Sequence, residues 1–325
     1  MLTRLSNFNQ TAKAAVLVAC GLPQVAWRVL AGQGVVLTFH GLCAGAGHGA
    51  MDDSLHLPVS VFRAVCELLA RDYRVMPLLE MVRLWRAGQK LPPRALAITF
   101  DDGLGSNYQL GYPVLKALGL PATIFLTTGF VDGTHPLWFQ EVDRAAQARG
   151  WGRAELYAEL SRLKRLPDAE MREAVSAGVA GLNLPPPAEV MQPLTWDQVR
   201  EMLREGLVDF GGHTHTHPVL ARCDAAQQEA EIQTCRDRME QELGVRPVLF
   251  AYTNGGQGDF TTQTQALLRR HGFEAALTML PGRLRPGREA MALPRYGNPT
   301  TVLEARAVAS GAFELLRQWR GGDRR

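Results

Sequence analysis

Short apolar runs rich in β-branched residues alternate along this chain with longer segments whose apolar residues recur at helical spacing. Val35 to Phe39 reads as a buried first strand ending at His40-Gly41, and the glycine- and alanine-rich stretch from His40 to Asp53 as a loop. Ser60 predicts the N-cap of a helix running to about Arg71, with Phe62, Val65, Cys66 and Leu69 on one face. A short strand at Tyr73 to Val75 and a helix from Leu78 to Ala87 follow. Leu96 to Phe100, a helix from Asn107 to Leu118 stopped by Gly119, and Pro121 to Leu126 form a strand–helix–strand unit of parallel crossover length. From about 134 to 193 the character changes. Trp138 to Leu166 and Ala169 to Val179 are charged and helical, and Pro185-Pro186-Pro187 ends the stretch, which reads as a helical insertion. Thr195 and Gln198 match a capping box for a helix ending at Gly206. Strands at 207–210, 248–251 and 273–278 then alternate with helices at 225–243 and 262–271. About seven strands alternating with helices predict an α/β fold, either a barrel or a doubly wound sheet. The expected organisation is a helical segment at 1–34, one domain at 35–310 carrying the insertion, and a basic tail at 311–325.

Composition narrows the function little. The 325 residues are 46% hydrophobic, ample for one large core. The balance of 35 basic against 32 acidic residues offers no argument for a nucleic-acid partner. Five scattered cysteines without a CxxC pair argue against a disulfide framework and fit a reducing compartment. Leu17-Val18-Ala19-Cys20 looks like a lipoprotein processing box. Its apolar core, Ala14 to Ala19, is shorter than the roughly 7–15 residues a signal peptide uses, and Arg28 ends any longer run. An amphipathic helix is therefore expected, packed on the domain or resting on a membrane surface. The expected location is cytoplasmic and peripheral to the inner membrane, ahead of lipoprotein export.

Two segments carry the candidate chemistry. Thr99-Phe100-Asp101-Asp102-Gly103 ends a strand with two adjacent carboxylates, and His213-Thr214-His215-Thr216-His217-Pro218 follows another. In an extended strand Asp101 and Asp102 would face opposite ways; at a strand end, with Gly103 free to turn, both can meet at one site. If the histidine segment is extended, all three imidazoles share a face; if it is helical, His213 and His217 converge. Either way two imidazoles and Asp102 can hold a metal and leave room for water, which is equipment for metal-assisted hydrolysis. Thr214 stands where a zincin protease needs glutamate, so that class is disfavoured.

Together these two motifs resemble those of the polysaccharide deacetylase family, the NodB-homology group of carbohydrate esterase family 4. The resemblance covers roughly Val35 to Asn298. It implies an irregular (β/α) barrel of about seven parallel strands. It also implies a catalytic base at Asp101, and metal ligands at Asp102, His213 and His217 for Zn2+ or another divalent transition metal. Thr214 would steady the metal-side loop, and His215 need not be a ligand. Phe250-Ala251-Tyr252-Thr253-Asn254-Gly255 resembles the third family motif, with Ala251 for the usual arginine and Thr253 for the usual proline. Tyr252 and Asn254 are its candidates for oxyanion or substrate contact. Leu293-Pro294-Arg295 resembles the late motif and makes Arg295 the candidate partner of Asp101. No histidine follows His271, so the late catalytic histidine of many members is missing. Phe39-His40 resembles the alternative arrangement of biofilm polysaccharide deacetylases, which makes His40 the candidate acid. Trp138 lies in a segment like that of exopolysaccharide-locus members and is a further candidate substrate contact.

The resemblance implies N-deacetylation of an acetamido sugar or glycan, in surface or exopolysaccharide biosynthesis. Two readings compete with it: a deformylase or amidase acting on a lipid-linked amino sugar or small amide, and a carbohydrate-binding pseudoenzyme.

Overall fold

In a computed structural model, which describes residues 2–45, 49–52 and 54–319, the alternation becomes a curled sheet of parallel strands wrapped by helices. The strands are β1 (Val35–Phe39), β2 (Gly41–Cys43), β3 (His56–Pro58), β4 (Arg74–Val75), β5 (Ala95–Phe100), β6 (Ala122–Leu126), β7 (Val208–Gly212), β8 (Leu249–Ala251), β9 (Ala275–Leu277) and β10 (Tyr296–Gly297). The main sheet runs β10-β1-β5-β6-β7-β8-β9, with β4 beside β5, while β2 and β3 form a small parallel pair. Closure comes from one short segment. Leu293 bridges to Leu277 of β9, and Tyr296 and Gly297 pair with Leu37 and Thr38 of β1. Both ends of the curl therefore meet the same stretch of chain, which decides for an irregular barrel over a doubly wound sheet.

Side-chain parity along the strands sorts inside from outside. Leu96, Ile98 and Phe100 of β5 pack in a cluster with Phe62, Val65 and Leu69 of the helix Val59–Asp72. Their neighbours Ala95 and Ala97 pack in a second cluster with Val36, Phe125, Leu249 and Ala275, closed at one end by Met81 and Val82 of the helix Leu78–Arg86. That second parity continues through Thr99 to Asp101. The interior is narrow. A Cβ at Gly211 would lie 2.5 Å from the Phe125 ring and 2.7 Å from the Leu249 carbonyl, so only glycine fits there. Phe125 is the floor on which the site rests.

The capping box at Thr195 and Gln198 is present, with Gly206 left-handed at the helix end. Other boundaries differ from expectation. The helix expected to be capped by Ser60 starts at Val59, directly after β3, with no side-chain cap; the end of the strand sets its start. The stretch from Trp138 to Leu166 divides into helices Trp138–Ala148 and Arg153–Leu163, because Gly150 turns left-handed between them. With Asp168–Val179 these helices bury their own apolar cluster. Helices Leu2–Ala19 and Leu22–Val29 place Leu17, Leu22, Ala26 and Leu30 against Ala312 and Leu315, so the N-terminal segment packs on the C-terminal helices. The expected basic tail begins as the helix Ala312–Trp319, and its residues 320–325 lie outside the described ones. No described helix is long and apolar enough to cross a membrane.

Candidate active site

The ends of β1, β5, β7 and β8 meet at one mouth of the barrel. Asp101 continues the inward parity of β5, and its N–H donates to the Phe39 carbonyl, extending the ladder by one step. The chain then turns. Asp102 is itself left-handed at φ 75°, as is Gly103 at φ 83°, so the turn begins one residue before the glycine. This reversal brings two consecutive carboxylates into one pocket. A left-handed aspartate is uncommon and strained, and such strain collects at functional sites.

Asp102 Oδ1 lies 3.4 Å from His213 Nε2 and 3.2 Å from His217 Nε2. All three side chains are buried, and they are the one such ligand cluster among the described residues. His213 Nδ1 donates to the Ala251 carbonyl at 2.8 Å, which in the neutral imidazole leaves the Nε2 lone pair facing Asp102. An imidazole nitrogen and a carboxylate oxygen facing one another are bridged by a proton or by a metal cation, and the three-ligand donor set fits a metal. Two imidazoles and one carboxylate suit zinc and its first-row neighbours, with positions left over for water. Burial works against the charged imidazolium of His213, but Asp102 and Asp101 beside it raise its pKa above the ordinary value. His217 falls below it because burial outweighs Asp102.

The histidine segment is neither extended nor helical. Thr214 and His217 are left-handed, at φ 67° and 61°. Thr214 Oγ1 donates to the His213 carbonyl at 2.5 Å and accepts from the His217 N–H at 3.0 Å, so it braces the turn. The rings of His213 and His217 stand 5.1 Å apart. His215 turns away and hydrogen-bonds with Thr128. The hydroxyl of Thr253, at the unusual third-motif position, donates to the Pro218 carbonyl and ties that loop to the end of the histidine segment.

Asp101 is paired on its other side. Arg295 is fully buried and donates to both carboxylate oxygens, at 2.7 and 2.8 Å. Its Nε donates to the Thr278 carbonyl, and its guanidinium lies over Phe125. Burial alone would raise the Asp101 pKa, yet Arg295, His213 and His40 hold the carboxyl below its ordinary value. His40 Nε2 is 4.0 Å from Asp101, and the side chain is partly exposed at the mouth. Asn254, left-handed at φ 57°, lines the same cavity of about 260 Å3 with His40, Asp101, Asp102, His213 and His217. A larger open groove of about 500 Å3, along the helix Leu78–Arg86, holds none of these groups.

Two expected site residues are elsewhere. Tyr252 is buried, stacked on Phe260, and donates its hydroxyl to the Met291 carbonyl; it is core. Trp138 is buried inside the insertion with Val142, Leu156 and Met171. Phe139 lines the pocket instead, with its ring 5.4 Å from that of His217. Trp138 shares a helix face with Val142, Ala145 and Ala146, and that periodicity was a legible signal for burying it. Lys164 and Met279 also line the pocket, and no motif announced them.

A sequence profile of the polysaccharide deacetylase family matches residues 88–276. The Bacillus subtilis protein YxkH is 31% identical over 113 residues, a match that spans 34% of this chain and only 38% of that protein. The poly-β-1,6-N-acetyl-D-glucosamine N-deacetylase of Staphylococcus epidermidis is 23% identical over 79% of this chain and 69% of its own. The Streptococcus pyogenes deacetylase PplD, solved with acetate, superposes with a TM-score of 0.62 at 17% identity, covering 85% of this chain and 98% of its own. IcaB from Ammonifex degensii gives a TM-score of 0.59 at 21% identity, covering 86% and 97%. At these identities the two structures speak for a shared fold.

Proposed function

The chain belongs to the polysaccharide deacetylase family, and from that premise we propose that it hydrolyses N-acetyl groups from an acetamido sugar or glycan in a metal-dependent reaction. One observation carries the reading: the Asp101–Arg295 pair and the Asp102–His213–His217 cluster open into a single pocket. Asp102, His213 and His217 would hold the metal. A bound divalent ion such as Zn2+ supplies Lewis-acid polarisation of the amide carbonyl and of water.

The chain's own residues do the rest. Asp101, kept ionised by Arg295, accepts a proton from the attacking water. The backbone N–H of Asn254 has no partner among the described residues and is the donor we assign to the developing oxyanion. His40 stands at the mouth beside Asp101 and delivers a proton to the amine leaving group. Phe139 offers an aromatic wall on which a sugar ring can rest. The Staphylococcus epidermidis relative is named for poly-β-1,6-N-acetyl-D-glucosamine. Oligomers of that sugar are therefore the first substrates to try, and exopolysaccharide biosynthesis is the process we assign.

The test is acetate release by zinc-loaded protein from N-acetylglucosamine oligomers and from nucleotide- and lipid-linked acetamido sugars, with Asp101→Asn as control. Release that falls by orders of magnitude in the variant, with metal still bound, supports the reading. Release at the parental rate by Asp101→Asn would remove Asp101 as the base. A metal-loaded parent that binds these glycans and turns none over would replace the enzyme reading with a carbohydrate-binding one.

A further inference from the structure

The turn that carries His217 is strained, and the imidazole packs between the Phe139 and His213 rings with no hydrogen bond behind it. Thr214 and His217 are both left-handed without being glycine. His213 is oriented through its Nδ1 bond to Ala251, but His217 Nδ1 has no partner among the described residues. With no hydrogen bond at Nδ1, the direction of the His217 ring depends on those ring contacts and on where the backbone beneath it is placed.

That backbone is gripped from two sides. Glu231, on the helix Ala225–Leu243, accepts from the N–H groups of His215 and Thr216, both at 2.8 Å, and from the Thr216 hydroxyl at 2.6 Å. Arg172, on the last long helix of the insertion, donates to the same Thr216 hydroxyl at 2.6 Å and to its carbonyl at 3.3 Å. Arg172 is in turn held by the buried carboxylate of Asp168, at 2.7 Å. One carboxylate thus takes up three donors of the turn, and the insertion supplies the cation on the other side. We propose that Glu231, backed by Arg172, is a positioning group that aims His217 at the metal, so that the helical insertion helps to shape the metal centre. The inference rests on the metal site assigned above.

It predicts weaker and differently shaped metal binding, which a mere loss of stability would not cause in the folded protein. The measurements are the affinity for Co(II) by chelator competition and the visible ligand-field spectrum of the Co(II) protein, for the full chain and its variants. Groups that orient ligands from behind are typically worth roughly 10- to 100-fold in metal affinity. Glu231→Ala should lose affinity in that range and change the Co(II) spectrum. Glu231→Gln keeps an oxygen acceptor for the N–H groups and should recover part of both, and Arg172→Ala should show a smaller loss. Parental affinity and spectrum in folded Glu231→Ala would overturn the proposal. If that variant does not fold, parental values in both Glu231→Gln and Arg172→Ala would overturn it equally. A parent that binds no Co(II), or an Asp102→Ala variant that binds as tightly as the parent, would instead remove the metal site itself, and the proposal with it.

Discussion

Replacing Arg295 with methionine isolates what holds the catalytic carboxylate. The change keeps an unbranched side chain over Phe125 but deletes both hydrogen bonds to Asp101. Asp101 itself is only 2% exposed, so its charge is left buried without its strongest partner. Breaking such a pair on one side costs about 3–5 kcal/mol. An unfolding entropy of about 2.1 cal/mol/K per residue, over a chain of this length, converts that to a melting point lowered by about 4–7 °C. The pH dependence has a definite sign. In the parent, Asp101 is held below the usual carboxylate value of 3.8, so its stabilising contribution is complete above that pH and is lost only as pH falls through the still lower folded value. In the variant, burial raises the carboxyl instead, and the penalty grows as pH rises from about 4 towards the new folded value. The gap in melting temperature between parent and Arg295→Met should therefore widen from pH 4 to pH 8, read by scanning calorimetry on metal-free protein. Adding Asp101→Asn removes the stranded charge and should recover most of the loss. A variant that melts with the parent at pH 8, a gap that does not widen with pH, or a double variant no more stable than Arg295→Met would each refute this account of the pair.

Two further outcomes separate core from site. Trp138→Ala should destabilise by about 3–5 kcal/mol through the cavity it leaves in the insertion core. Phe139→Ala, at a half-buried position, should cost less stability than Trp138→Ala and lose more activity on glycans, and thermal melts together with acetate-release kinetics that came out the other way round would reverse their placement. Among the five thiols only Cys20 is exposed, and burial pushes those of Cys223 and Cys235 up to about 12. Ellman's reagent should therefore label one thiol quickly in native protein and five after denaturation, whereas two or more fast thiols would contradict the packing of Cys43, Cys66, Cys223 or Cys235.

Much of the scaffold was legible because it is written in local rules. Apolar runs of five or six residues marked β1, β5 and β6, and helical periodicity marked the segments between strands. The Thr195 capping box stands where a helix begins and Gly206 where it ends, and the helix read at 225–243 is found over those residues. Strand parity alone carried Asp101 inward, since Ala95, Ala97 and Thr99 precede it on the same side. The short strand read at Tyr73 to Val75 is found as β4, whereas the two-residue β10 is a pairing event too short to leave a periodic signal. The β2–β3 pair joins residues across a loop that composition alone marks as irregular.

By itself, then, the sequence determined the class of fold, the succession of its longer strands along the chain and the chemical inventory of the site. Periodicity, caps and strand-end motifs depend on neighbours within a few residues. What only the tertiary structure decided was which groups meet and which way they face. Arg295 reaches Asp101 across 194 residues because the segment that closes the barrel delivers it there. Tyr252 and Trp138 go into cores while Asn254 and Phe139 take the pocket, because helix phase and available volume choose between adjacent residues. Left-handed turns at Asp102, Thr214 and His217 converge ligands that no regular spacing would bring together. They persist only because the surrounding hydrogen bonds and packing hold them, and those contacts exist only once the chain has folded.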